Sequence, residues 1–251
     1  MFIKTAGLVL REVEINEADK LLDILTRDHG LVTAKARGVR RSRSPIKSAC
    51  QLLAYSELNL FEYRDKLTVQ EAEPIEQFRE LRDELELFAL GSYLAQTVSL
   101  VAQEDAPNPE LLSLILNALY ALAKLRKPQT LVKAAYELRL ACLAGFEPEL
   151  EACPICGSAR PDRFDLSRGA AVCAGCHPDD AGLRLPITPG VLDAMRYICW
   201  CDGKKLFSFR LEGENLKTLS SVTEAYLMMQ LEHSFSTLDF YKSLLQYGDI
   251  K

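Results

Sequence analysis

The sequence lacks the patterns of secreted and membrane-spanning proteins. No apolar run reaches the roughly 18 residues of a transmembrane helix, and the most apolar segment, 111–125, is interrupted by Ser113 and Asn117. The first residues, Met1-Phe-Ile-Lys-Thr5, lack the basic-then-apolar layout of a signal peptide. We therefore expect a soluble protein of the cytoplasm.

Motifs for nucleotide binding and catalysis are also missing. Neither G-x-x-x-x-G-K-[ST] nor G-x-G-x-x-G occurs, so no loop that would cradle phosphates is indicated. The three histidines, His29, His177 and His233, lie far apart without a nucleophile motif beside them. Carboxylates are numerous, but no pair has the arrangement of a nuclease or glycosidase. We expect a binding protein and no enzyme.

The net charge hides an uneven distribution. A length of 251 residues suits one large or two modest globular domains, and the 48% hydrophobic content is that of a globular protein. The formal net charge is −5. Residues 1–80 hold 13 basic and 13 acidic side chains, whereas the remainder holds 17 basic and 22 acidic ones. A basic region in the N-terminal part must therefore be a local patch.

Such a patch is visible between Asp28 and Glu57, where no acidic residue occurs. The segment contains six cationic residues: Lys35, Arg37, Arg40, Arg41, Arg43 and Lys47. Like charges at this density repel one another, and a bound polyanion such as a nucleic-acid backbone would relieve that repulsion. The pattern indicates a nucleic-acid site; a solvated loop is the alternative.

The first eighty residues predict β-structure. Short segments rich in β-branched and aromatic residues alternate with turn residues; they are Phe2–Leu10, Leu21–Thr26, Leu31–Val39, Ser56–Tyr63 and Leu67–Ala72. Gly38 allows the chain to bend after the third segment, with 40–44 as an exposed tip. Five short strands of this spacing favour a small closed barrel such as an OB-fold.

Helical spacing of apolar residues begins near Glu76 and continues to the end. Asn108-Pro109 and Thr188-Pro189 each combine a capping residue with a proline at the first helical position, so each predicts a helix start. We predict an α+β multidomain protein, with a β module at 1–80 and a helical domain at 81–251.

Four cysteines in the helical part have the spacing of a metal site. Two C-x-x-C pairs, Cys153/Cys156 and Cys173/Cys176, are separated by sixteen residues, which is typical of tetrahedral zinc. Four sulfurs leave no position for a catalytic water, so we predict a structural Zn²⁺ in an element at about 150–180. Reduced free thiols are the alternative. His177 could replace a ligand, although its adjacency to Cys176 makes simultaneous binding awkward.

The other cysteines are interpreted as packing residues. Cys50 and Cys142 lie in apolar surroundings typical of small buried side chains. Cys199 and Cys201 lack the two-residue spacer of a zinc knuckle and fall within a predicted helix.

Taken in order, several motifs resemble the RecO family of bacterial recombination mediators. They are Glu17–Thr26, Gly30, Ala36-Arg-Gly-Val-Arg-Arg41, Ser44, the segment Leu67–Glu73 and the cysteine quartet. The resemblance covers most of the chain. It implies an N-terminal OB-fold and a C-terminal helical domain with an inserted four-cysteine zinc element.

The resemblance also implies a function. Members of the family bind single- and double-stranded DNA and anneal complementary strands. With RecR they help to load RecA onto strands coated by single-stranded-DNA-binding protein, in the cytoplasm and on the nucleoid. On this basis we expect the helical domain to bind the acidic tail of that protein; the candidate contacts are Lys124, Arg126, Lys127 and Lys133.

Aromatic stacking on DNA is a weaker expectation. Tyr55, Phe61 and Tyr63 could stack on bases as in other OB-folds, but strand alternation predicts that they are mainly buried, so backbone charge should dominate binding. Two other functions remain open. One is a zinc-ribbon regulatory factor, which would show strong base-sequence specificity; the other is a structural adaptor that never meets DNA.

Overall fold

The structure is a computed structural model that describes residues 1–176 and 182–248. Its N-terminal part contains five strands: β1 (Phe2–Glu14), β2 (Lys20–Thr26), β3 (Leu31–Ala36), β4 (Tyr55–Tyr63) and β5 (Lys66–Glu76). They form a closed barrel in the order β1-β2-β3-β5-β4. β3 and β5 run parallel, and the other neighbours are antiparallel. The predicted OB-fold barrel is confirmed.

Alternation along the strands fills the barrel. In β4 the side chains of Ser56, Leu58 and Leu60 are buried while those between them are only partly covered, as a half-buried strand requires. They pack against Leu22 and Ile24 of β2 and other small or branched side chains. The core is therefore built from the apolar positions of the strand pattern.

The third strand ends earlier than its sequence suggests. β3 stops at Ala36, three residues before the predicted end at Val39. Gly38 adopts a left-handed conformation with φ +65, and its N–H donates to a side chain, Asp19 Oδ1, at 2.8 Å. A residue bonded in this way cannot continue the ladder, so the chain leaves the sheet and enters a connection of turns over residues 37–54.

The first compact unit contains more than the barrel. It comprises Met1–Ala123 together with the chain from Phe235 onward, and its helices are α1 (Leu85–Val101), α2 (Pro109–Ala123) and α6 (Ser236–Gly248). Asn108 caps α2 as predicted, accepting from the Glu110 and Leu111 amides. Tyr93 of α1 packs edge-to-face on Phe235 with ring centroids 5.6 Å apart. The boundary between the two units therefore lies between Ala123 and Lys124, and not near residue 80, where the strands end and the helices begin.

The second unit, Lys124–Ser234, contains α3 (Gln129–Leu143), α4 (Pro189–Trp200) and α5 (Gly213–Leu231). Thr188 caps α4 by accepting from the Val191 N–H at 3.2 Å, so this predicted helix start is also correct. Between α3 and α4 lies a small antiparallel sheet that the sequence pattern did not indicate. Its strands are β6 (Arg163–Asp165), β7 (Ala170–Val172) and β8 (Arg184–Pro186), in the order β7-β6-β8.

Within the described ranges, none of the helices combines the length and the apolar character that crossing a bilayer requires.

A buried ion network joins α3 to α5. Lys133 is only 3% exposed, and its Nζ lies 2.9 Å from Glu137 Oε1 and 2.7 Å from Glu224 Oε2. Thr223 donates its hydroxyl to Glu137 Oε2 at 3.0 Å. The expectation that Lys133 would receive an acidic peptide tail is therefore wrong, because two carboxylates of its own unit already neutralise it.

Replacing Lys133 with Met is expected to lower the free energy of unfolding by about 3–5 kcal/mol, because the variant leaves two carboxylates without their buried cation. Thermal unfolding of the purified protein measures the change. K217M is the matched control, since Lys217 and Glu214 form a pair that is 75% and 83% exposed; such a pair contributes about 0.2–1 kcal/mol. Equal melting temperatures for the two variants would contradict the role of the network.

Candidate nucleic-acid interface and metal centre

Five of the six predicted cations lie in the connection 37–54, which covers one end of the barrel, and the sixth, Lys35, lies in β3. The apolar side chains of the connection point inward: Val39, Ile46, Ala49 and Cys50 belong to the same buried cluster as the barrel strands. Its arginines and Lys47 point outward. The segment is thus an ordered cap on the barrel, anchored by about one residue in three.

Backbone hydrogen bonds hold the cap in successive turns. The N–H groups of Arg41, Ser44 and Lys47 each donate to the carbonyl three residues earlier, at 3.1, 3.1 and 3.3 Å. Ser56 Oγ donates to the Ala49 carbonyl at 2.9 Å inside the barrel. Because its backbone groups are satisfied locally, the cap needs no ligand to adopt its shape.

Asp19, at the end of the β1–β2 turn, fastens the start of the cap. One carboxylate oxygen accepts from the Gly38 N–H at 2.8 Å, and the other lies 2.9 Å from Lys35 Nζ and accepts from Asn16 Nδ2 at 3.0 Å. The Gly38 amide, followed by Lys35 and Asn16, holds the pKa of Asp19 well below its usual range. The carboxylate therefore stays charged and keeps the cap in position.

A second fastening involves Arg40. Its Nη2 lies 2.9 Å from Glu14 Oε2, and its Nη1 donates to the Asn16 carbonyl at 2.7 Å. The backbone N–H of Arg40 also donates to the Ala18 carbonyl at 3.0 Å. Two of the six predicted cations, Lys35 and Arg40, are therefore already paired with acids of the barrel.

The other four cations face solvent. Arg37, Arg41, Arg43 and Lys47 are exposed, and over residues 1–176 and 182–248 none of them is paired with a carboxylate. Four uncompensated positive charges on one ordered cap form a site that is able to accept phosphate groups.

The aromatic residues are more exposed than the alternation predicted. Tyr63 is 60% exposed and carries the Arg64 guanidinium over its ring at 5.1 Å. Phe61 is half-buried and packs on the exposed Phe2, with ring centroids 5.1 Å apart. Phe2 begins β1 whereas Glu14, which pairs with Arg40, ends it, so these rings lie at the opposite end of that strand from the point where Arg40 is attached.

The four predicted metal ligands come together in the second unit. The Sγ atoms of Cys153, Cys156, Cys173 and Cys176 all lie within 4.8 Å of one another, and those of Cys156 and Cys173 are 3.7 Å apart. Sulfurs at 2.3 Å from a tetrahedral Zn²⁺ would be separated by about 3.8 Å. The arrangement therefore fits zinc. His177 lies outside the described residues.

The first knuckle is shaped by its own backbone. The Gly157 N–H donates to the Cys153 carbonyl at 2.9 Å, and the Cys153 N–H donates to the Ser158 carbonyl at 2.8 Å. Gly157 has φ +74, a conformation that favours glycine. Burial opposes the charge on Cys153, but backbone N–H groups of Cys156, Cys173 and Ile155 outweigh it and lower the pKa of this thiol to about 6. The knuckle thus favours the thiolate that a metal requires.

Two arginines fix the cysteine knuckles to the rest of the second unit. Arg184 of β8 donates to the Cys176 carbonyl at 2.6 Å and to the buried Asp165 at 3.1 Å. Arg196 of α4 donates to the carbonyls of Leu150 and Glu151 at 2.9 and 2.8 Å, just before the first knuckle. Sequence reasoning missed both arginines, because neither lies in the cysteine motif.

Comparison with known proteins identifies the family. The family model described as recombination protein O, N terminal, matches residues 1–78, and the one described as recombination protein O, C terminal, matches residues 82–239. The chain belongs to the RecO family. The sequence-based resemblance is thereby confirmed.

Relatives within the RecO family match over nearly their full length. The DNA repair protein RecO of Acetivibrio thermocellus is 34% identical over 97% of this chain and 97% of its own. That of Symbiobacterium thermophilum is 31% identical over 95% and 96% of the two chains. That of Alkaliphilus metalliredigens is 30% identical over 97% and 100%.

Elemental analysis of the purified protein is expected to find about one zinc per chain, as a four-thiolate site requires. Cys153→Ser and Cys173→Ser should each lose the metal and lower the melting temperature, because metal binding is linked to folding. Cys201→Ser, whose thiol is outside the cluster, should keep the zinc. A metal-free wild-type protein with unchanged stability would refute the zinc assignment.

Proposed function

We propose that this chain acts in DNA repair as a DNA-binding recombination mediator, with the basic cap of the barrel as its main DNA site. The observation that supports it most is the set of four exposed cations on an ordered connection, Arg37, Arg41, Arg43 and Lys47, which form no ion pair with the described part of the chain. The relatives are named DNA repair proteins. Lys35 and Arg40 complete the six-residue site by holding the cap against the acids of β1 and the β1–β2 turn.

The surface of the cap offers positive charge but few groups that could recognise individual bases. Guanidinium and ammonium groups bind phosphates of any sequence, whereas base-specific readout needs side chains that reach base edges. The exposed rings of Phe2 and Tyr63 belong to the strands and not to the cap. We therefore expect binding to single and double strands with little preference among sequences, which distinguishes this function from that of a zinc-ribbon regulator.

Zinc has a structural role in this proposal. The four cysteines Cys153, Cys156, Cys173 and Cys176 would hold it, and when bound it would supply a closed tetrahedral cross-link with no open position for substrate. The cluster would thus stabilise the helical domain while the protein acts by binding and without bond chemistry.

The finer steps are proposed on the resemblance to the RecO family. We propose that the chain anneals complementary strands and, with RecR, helps to load RecA onto strands coated by single-stranded-DNA-binding protein, as a cytoplasmic and nucleoid-associated protein. In this scheme DNA occupies the N-terminal barrel of domain 1–80, and the protein partners bind the helical domain 81–251.

Changing Arg37, Arg41 and Arg43 together to Gln is expected to weaken DNA binding equally for all sequences. If the four exposed cations each neutralise one phosphate, log affinity against log salt should have a slope of roughly −3 on single strands, and the variant should retain roughly −1. Fluorescence anisotropy over a salt series on oligonucleotides of different sequence measures both quantities. The melting temperature should be nearly unchanged, because these side chains make no ion pair within the described ranges.

The matched control removes three exposed cations of the second unit, Lys204, Lys205 and Arg210, by the same change to Gln. It alters the net charge equally and should leave the slope unaffected. If both triple variants bind as the parent does at every salt concentration, the cap is a solvated loop and the protein fits the adaptor alternative. A strong dependence on base sequence would favour the regulatory factor.

Binding of an acidic tail peptide is expected to depend on Lys124, Arg126 and Lys127, which precede α3, and not on the buried Lys133. Changing these three residues to Gln should weaken binding of a fluorescent peptide from the tail of single-stranded-DNA-binding protein at low salt, because carboxylates lose their cationic partners. The DNA-binding triple variant serves as the control. Wild-type protein that does not bind the peptide would remove this part of the proposal.

A further inference from the structure

A second group of cysteines lies outside the metal cluster, where two helices end. Cys142 is in the last turn of α3, Cys199 is in the last turn of α4, and Cys201 follows α4 directly. The Sγ atoms of Cys142 and Cys199 are 3.6 Å apart although the residues are 57 positions apart in the chain. The interpretation of these cysteines as separate packing residues does not account for this contact.

Arg139 holds the two helix ends in this arrangement. It lies one turn before Cys142 on α3, its Nη2 donates to the Cys201 carbonyl, and the same nitrogen lies 3.5 Å from Cys201 Sγ. A disulfide requires an S–S distance of about 2.05 Å, so the two sulfurs must approach by about 1.5 Å.

The two thiols differ in access and in acidity. Cys142 is half-buried whereas Cys199 is buried. The hydrogen bond with Cys199 lowers the pKa of Cys142, and burial and Glu147 oppose this while Arg139 supports it. The same hydrogen bond, together with burial, raises the pKa of Cys199. The accessible sulfur is therefore the one that favours the nucleophilic thiolate, and its neighbour keeps a proton.

We propose that Cys142 and Cys199 form a reversible disulfide, a redox site that takes oxidants of the hydroperoxide class. The Cys142 thiolate attacks one oxygen of hydrogen peroxide, the O–O bond breaks, and the leaving hydroxide takes a proton to become water. The product is a sulfenic acid at Cys142. The Cys199 sulfur then attacks this sulfur, loses its proton and displaces hydroxide as a second water. Both thiols are oxidised, and a dithiol reverses the reaction by exchange.

A disulfide between Cys142 and Cys199 would join the two helices that flank the metal element. The metal element, with Cys153 and Cys176, is inserted between α3 and α4, so a bond between Cys142 and Cys199 joins the two helices on either side of it. Peroxide would also oxidise thiolates of the quartet, and oxidised sulfurs would no longer hold a metal there. The disulfide would still join the ends of α3 and α4 after the metal is lost.

The bond is tested by treating zinc-loaded protein with hydrogen peroxide, alkylating the remaining thiols and mapping the peptides by mass spectrometry. Cleavage after acidic as well as basic residues separates Cys142 from Cys153, because Glu147, Glu149 and Glu151 lie between them. The experiment uses a Cys201→Ser background, because Cys199 and Cys201 lie on the same peptide and a link to one could otherwise be mistaken for a link to the other. We expect a linked peptide pair that is lighter by two hydrogen atoms than the separate peptides and that dithiothreitol separates.

Two variants complete the test. Cys142→Ser should abolish the linked pair, and Cys199→Ser should abolish it while leaving a sulfenic acid on Cys142 that dimedone traps. After peroxide and a chelator, wild-type protein should melt at a higher temperature than Cys199→Ser, and dithiothreitol should remove the difference. Cys142 that remains fully alkylatable after peroxide, or that is linked to a cysteine of the metal cluster instead, would overturn the proposal.

Discussion

The parallel pairing of β3 with β5 is the constraint on which the N-terminal unit depends. Ala34 and Ala36 lie opposite Leu67 and Val69 in this pairing, which closes the barrel and places β5 between β3 and β4. β4 therefore cannot follow β3 as a hairpin partner. A crossover must join the parallel strands β3 and β5, and it consists of the connection 37–54 across the end of the barrel followed by β4. Five of the six predicted cations lie in that connection.

Within the cap, different interactions provide stability and charge. The contacts of Lys35 with Asp19 and of Arg40 with Glu14 fasten the start of the cap to the end of β1 and the β1–β2 turn. Burial of Val39 and Ile46 in the barrel core and the turn hydrogen bonds supply the stability. Because the cap is stable without its outward arginines, those residues are available for a polyanion.

The second unit is held together at three separate places along its helices. The ion network of Lys133 joins α3 to α5, Arg139 and the two thiols hold the ends of α3 and α4, and the cysteine quartet fastens the element inserted between those helices. Only the last has a recognisable sequence motif. A change in metal or redox state would therefore act on one of these places and leave the buried ion network intact.

Local patterns in the sequence were enough to predict the features that depend on near neighbours in the chain. Alternation predicted the five strands, Asn108 and Thr188 predicted two helix starts, and the C-x-x-C spacing predicted the quartet, because strand periodicity, capping and metal chelation are local. Tertiary structure decided which charges are neutralised and which side chains are buried. Lys35 and Arg40 resemble the other cations in sequence, and only folding placed Asp19 and Glu14 beside them. Lys133 has Glu137 one turn away on α3, but its burial and its contact with Glu224 depend on packing. The contact of Cys142 with Cys199 and the exposure of Tyr63 likewise depend on packing between distant segments, which no local pattern encodes.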